Sequence, residues 1–97
     1  MTVSFALANA AALRELPALL ARWLPDGRVI GHEYEARNPH RSDRNLGSFR
    51  VNLRTGRWAD FATGDQGGDP VSLVAYLFRL SQGEAARRLA GLLGLRP

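Results

Sequence analysis

The sequence contains no cysteine and no lysine. The first absence removes any disulfide framework and any thiolate metal site, and it fits a reducing, cytoplasmic setting. The second removes a lysine nucleophile and the lysine of a nucleotide-binding phosphate loop. Histidine is scarce, with His32 and His40 alone. No zinc-protease helix motif and no serine elbow is present, so the chain is not expected to be an enzyme. No apolar run approaches the roughly 18 residues that a membrane span requires. Residues 1–12 are apolar but lack a basic segment, which argues against a secretory leader.

What remains is a chain of 97 residues with 45% apolar side chains, sufficient for one domain with one modest core. All 13 basic residues are arginine. A GC-rich coding sequence would also favour arginine, so their placement says more than their identity. Residues 37–57 hold six arginines (37, 41, 44, 50, 54, 57) against one acid, Asp43, for a net +5. The other residues carry seven arginines against eight acids, so the overall +4 is entirely local. A one-sided basic patch is the footprint of a polyanion partner, and the guanidinium fork suits phosphate.

The pattern divides the chain into a helical arm (1–26), a β section (27–66) and a C-terminal helical pair (67–97). In the arm, Asn9 is a candidate cap for a helix over 9–24. Pro17 should break it into a helix ending at Leu16 and a second one starting at Pro17. Leu16, Leu19, Leu20, Trp23 and Leu24 form a stripe at helical spacing. Residues 28–36 alternate as a strand, with Ile30, Tyr34 and Ala36 on one side, Glu33 and Glu35 on the other, and His32 packed on the apolar side. Residues 38–47 are a loop by composition. Phe49, Val51 and Leu53 then alternate with polar neighbours as a half-buried strand. Residues 63–68 read as a flexible turn. Asp69 and Pro70 mark a helix start. Ser81 and Glu84 form a capping box that opens a helix over 82–93, with Gly94 as its stop.

The turn around Thr55 and Gly56 decides where Trp58 points. A two-residue turn pairs Leu53 with Trp58 and buries Trp58, together with Asp60. A three-residue loop with Gly56 in the left-handed conformation pairs Leu53 with Arg57, buries Phe61, and leaves Trp58 outside. The second is preferred, because a buried Asp60 without a partner is costly. Arg37, Arg41, Arg44, Arg50, Arg54 and Arg57 with an exposed Trp58 are therefore the candidate nucleic-acid-binding residues: the arginines neutralise phosphates and the indole stacks an unpaired base. The glycine-rich stretch before Asp69 lacks the residues of a nucleotide-hydrolysing loop. Backbone amides there could hold a phosphate, although Asp65 and Asp69 weigh against it.

Ser48, Phe49, Arg50 and Val51, followed by a hairpin and by Gly67, Gly68 and Asp69 before a helix, give residues 38–94 an order in which they resemble the zinc-ribbon domain of DnaG-like DNA primases. That family reads Cys-Pro-x-His, Ser-Phe-x-Val, a hairpin, Cys-x2-Cys, Gly-Gly-Asp and a helix. Ser48, Phe49, Arg50 and Val51 match the strand, and Gly67, Gly68 and Asp69 match the approach to the helix. The family's metal ligands fall on Asn38, Arg41, Asp60 and Thr63 or Gly64, none of them a sulfur donor. No zinc and no other cofactor is therefore expected, with the hairpin and the C-terminal helices replacing the metal and an Arg41–Asp60 pair as one possible stitch. The resemblance implies an α+β domain: a small antiparallel β-sheet, zinc-ribbon-like but zinc-less, packed against N-terminal and C-terminal helices. It also implies a nucleic-acid-binding module for single-stranded DNA template, of phage or mobile-element type, whose partner is a primase or helicase catalytic domain. The alternative is a protein–protein or dimerisation module docking through Leu19, Leu20 and Trp23.

Overall fold

The computed structural model describes residues 4–40 and 48–95. The chain is an α+β domain: among the described residues four helices flank a five-stranded antiparallel sheet, two before it and two after. Among the described residues no helix is long and apolar enough to cross a membrane.

Helix α1 (Phe5–Arg14) begins one turn earlier than Asn9 suggested, because Ser4 caps it, its Oγ accepting from the Leu7 amide at 3.2 Å. Asn9 lies inside α1 and caps at a distance. Its Oδ1 accepts from the Val71 amide (2.8 Å), one of the otherwise unpaired donors in the first turn of a later helix. Helix α2 (Leu16–Trp23) carries Pro17 in its first turn, where no amide hydrogen is needed. Leu16, Leu19, Leu20 and Leu24 are buried.

The sheet is a meander in chain order: β1 (Arg28–Ile30), β2 (Glu33–Ala36), β3 (Phe49–Asn52), β4 (Trp58–Asp60) and β5 (Gln66–Gly67). Residues 28–36, expected as one strand, are a hairpin. Ile30 pairs with Glu33 around a two-residue turn in which Gly31 has φ 60°. His32 consequently sits exposed at the turn instead of packing, and Ile30 is exposed as well. Part of the expected flexible turn is β5, which pairs with β4.

The β3–β4 register differs from both sequence alternatives. Val51 faces Trp58, Arg50 faces Ala59 and Phe49 faces Asp60. The connection is a four-residue loop, with the Asn52 amide donating to the Arg57 carbonyl (2.7 Å) and the Gly56 amide to the Asn52 carbonyl (2.8 Å). Gly56 does adopt the left-handed conformation (φ 79°). A β-carbon there would lie 2.6 Å from Pro70 Cδ, so the loop packs directly on the start of the following helix.

Helix α3 (Pro70–Phe78) starts where Asp69 and Pro70 indicated: the Asp69 carboxylate accepts from the Ser72 amide at 2.8 Å. Helix α4 (Gln82–Leu92) is capped by Ser81. Its Glu84 turns away from the cap to Arg87 (2.7 Å) and Arg88 (3.6 Å). Helix α3 is shared by two apolar clusters. One joins Leu73 and Leu77 to Leu16, Leu20 and Leu24 of the α2 region and to Tyr34, Ala36, Phe49, Val51 and Trp58 of the sheet. The other joins Val71 and Val74 to Ala8 and Ala12 of α1, Leu19 of α2, and Ala85, Ala86 and Leu89 of α4.

Candidate nucleic-acid interface

The two sheet faces have opposite chemistry. The inner face carries Tyr34, Ala36, Phe49, Val51, Trp58 and Asp60 against the helices. Trp58 is only 5% exposed. Its ring stacks on Phe49 (centroids 5.8 Å) and lies 4.6 Å from Tyr76, and its Nε1 donates to Ser72 Oγ at 3.0 Å. The opposing strand position is Gly67, where a β-carbon would fall 2.4 Å from Trp58 Nε1 and 2.5 Å from Ser72 Oγ. A bare backbone at that point makes room for the indole. The expected exposed Trp58 is thereby corrected: the indole is a core residue and cannot stack a base.

Phe61, expected inside, is 72% exposed. It continues the outer face beyond β4, where its amide donates to the Ser48 carbonyl (2.8 Å). The outer face carries a charge ladder. Arg50 Nη2 contacts Glu35 Oε2 at 2.9 Å, Arg50 Nη1 contacts Glu33 Oε1 at 3.2 Å, and Arg28 reaches Glu35 Oε1 at 3.5 Å. The Arg50 guanidinium lies 6.0 Å from the centre of the Phe61 ring, at the outer range of a cation–π contact. Beside them a shallow open cleft of about 510 Å³ is lined by Glu33, Arg50, Asn52, Arg57, Phe61 and Gln66, with Ala59, Gly67 and Gly68 leaving parts of its wall free of long side chains.

The candidate arginines are not one uniform patch. Arg54 and Arg57 are exposed at the loop end of the β3–β4 hairpin, and among the described residues neither meets a carboxylate. The loop itself is set by Asn52, whose Oδ1 accepts from the amides of Arg54 (2.8 Å) and Thr55 (3.1 Å). Arg50 is on the same hairpin but engaged by two glutamates. Arg37 is exposed past the other end of β2, beside a second cleft with Trp23 and Asp26. Arg41 and Arg44 lie outside the described residues, as does the proposed Arg41–Asp60 contact.

Asp60 has 0% exposure and is nevertheless well held. Its Oδ2 accepts from Asn38 Nδ2 at 2.8 Å and its Oδ1 from the Ala62 amide at 2.8 Å. Asn38, also buried, donates again to the Tyr76 hydroxyl (2.7 Å), which in turn donates to Asp65 Oδ2 (2.7 Å). His40 Nε2 meets the Tyr76 carbonyl at 2.7 Å, and Arg79 Nη2 lies 3.3 Å from His40 Nδ1. Burial, helped by the Asp65 and Asp60 carboxylates, raises the Tyr76 pKa above the usual phenol value. This network makes a buried carboxylate tolerable and so permits the inward Asp60 that the sequence reading disfavoured. The partners are 22 residues apart in sequence, and no local pattern signals their meeting. Among the described residues no group of three histidine, aspartate or glutamate side chains is placed to hold a metal ion.

Leu19 and Leu20, offered as docking residues, are buried in the protein's own core, and Trp23 is partly covered by an edge contact with Phe78 (6.0 Å). Comparison of the sequence with models of known protein families and with curated proteins finds no match.

Proposed function

We propose that this chain is a nucleic-acid-binding module of a primase-like replication protein, taking single-stranded DNA at its β3–β4 hairpin. The observation that carries the reading is the placement of Arg54 and Arg57: two exposed guanidinium groups, unengaged by carboxylates among the described residues, at one end of one hairpin. Guanidinium groups held this way neutralise backbone phosphates without reading sequence. The primase resemblance is supported by Asn38 and Asp60. It assigns both positions to metal ligands, and the two side chains meet in a buried hydrogen bond of 2.8 Å. In this reading hydrogen bonds do the fastening that a metal does in the family, and the module serves a separate catalytic or helicase domain without catalysing a reaction itself.

Fluorescence anisotropy of a labelled oligothymidine against rising salt tests the assignment. Affinity should fall steeply with salt, and Arg54→Gln and Arg57→Gln should each make the logarithmic slope shallower by about 0.7. Salt-insensitive binding, or binding that both variants leave untouched, would overturn it.

A second reading, a protein-docking module, is favoured by a different surface. A groove of about 160 Å³ between α2, α3 and α4 is lined by Trp23, Val74, Phe78, Leu89 and Leu92, with Phe78 and Leu92 nearly half exposed.

A further inference from the structure

An isolated exposed phenylalanine is ordinary on a protein surface. Phe61 differs in what surrounds it. Arg50 is held toward its ring by contacts of 3.2 Å and 2.9 Å to Glu33 and Glu35. Those two carboxylates offset the charge of Arg50, which weakens it as a phosphate contact at this place. The cleft next to the ring is bounded by the small Ala59 and the bare backbone of Gly67 and Gly68. Its volume, about 510 Å³, falls within the range of small-ligand clefts. Asn52 spends its Oδ1 on two loop amides, which leaves its amide hydrogens as donors. Arg57 adds further donors to the lining.

We propose that this outer-face cleft receives one unpaired nucleobase, stacked on Phe61, with Arg57 contacting the adjoining phosphate. The proposal rests on the nucleic-acid reading and adds to it a specific platform and a reason for selecting single strands. A planar heterocycle matches the chemistry of the site: an aromatic ring, a guanidinium beside it, and donors at the edge. Arg50 and Phe61 both line the cleft, so a base resting on the ring there has the guanidinium at its border. In a duplex the base faces are already occupied by neighbours, so the same cleft gives paired DNA nothing but its backbone contacts.

The experiment compares the wild-type 97-residue chain, Phe61→Ala, Phe61→Tyr and the pair Arg54→Gln/Arg57→Gln. Each is titrated into a labelled oligothymidine and into a duplex of equal length, over a range of salt. Phe61 is so exposed that neither substitution threatens folding, and thermal melting of each variant checks this. Phe61→Ala should weaken single-strand binding about 5- to 100-fold, leave its salt slope unchanged and spare duplex binding. Phe61→Tyr should keep wild-type affinity. If Phe61→Ala binds the single strand like wild type while the arginine pair weakens it, the base cleft is overturned and the nucleic-acid reading stands. If no variant, wild type included, shows salt-dependent binding to either probe, both fall together.

Discussion

Asp60 shows how one residue settles the course of a strand. Its burial is unfavourable by itself, yet Asn38 and the Ala62 amide satisfy it, and Phe61 is turned outward as a result. Asp60→Ala should cost about 3 kcal/mol, since it strands a buried donor on Asn38 and a part-buried one on Ala62. Asp60→Asn keeps the shape and one of the two acceptors but sets its NH2 against the other donor, and should cost less than the alanine variant, about 1–2 kcal/mol. Urea unfolding of both variants checks this; a negligible cost for Asp60→Ala would mean that the carboxylate is not the anchor. The network was illegible in sequence because Asn38 and Asp60 belong to different strands' ends, and local alternation counts Asp60 only as a charge to be kept outside.

The helices were the most legible elements. Asp69 and Ser81 act through bonds to residues three positions away, and Pro70 through its fixed backbone angle in the first turn, all of which the sequence displays directly. Glu84 fits the capping pattern, but Arg87 and then Arg88 draw its carboxyl below the usual carboxylate range. The strands were less legible. A hairpin at Gly31 looked like continuous alternation because polar and apolar residues go on alternating through it, although the two-residue turn reverses the faces and pairs Val29 with Tyr34 and Ile30 with Glu33. Two glycines give an element-scale test with opposite signs. Gly56→Ala places a β-carbon at positive φ and 2.6 Å from Pro70 Cδ, and should destabilise by about 1–3 kcal/mol. Gly91, in α4, has open space around it, and Gly91→Ala should stabilise by about 0.5–1 kcal/mol. Denaturant midpoints at constant m read both; a loss at Gly91 or a gain at Gly56 would contradict the described packing.

For the whole molecule, the layered core makes a pH prediction. The two tyrosines of the chain, Tyr34 and Tyr76, both have raised pKa values, chiefly through burial. The folded state therefore holds these protons more tightly than the unfolded one. Their contribution to stability is fully present below the unfolded value of 10.0 and is lost as pH rises through the higher folded values. Ultraviolet titration of the native protein should show both phenols ionising above 10.0, and the melting temperature should decline across the same range. Half-ionisation at or below 10.0 in the folded protein would refute it.

By itself, the sequence determined the α+β class, the capped starts of α3 and α4, the alternation of β3, and the concentration of arginine near one hairpin. These depend on spacing and on bonds between near neighbours. Only the tertiary structure decided that Trp58 lies inside, Phe61 outside, and Arg50 between two glutamates. Each of those outcomes turns on partners distant along the chain: Asn38 for Asp60, Gly67 and Ser72 for Trp58, Glu33 and Glu35 for Arg50. Whether a polar group is affordable in a core depends on which groups the fold brings to meet it, and local sequence does not carry that information.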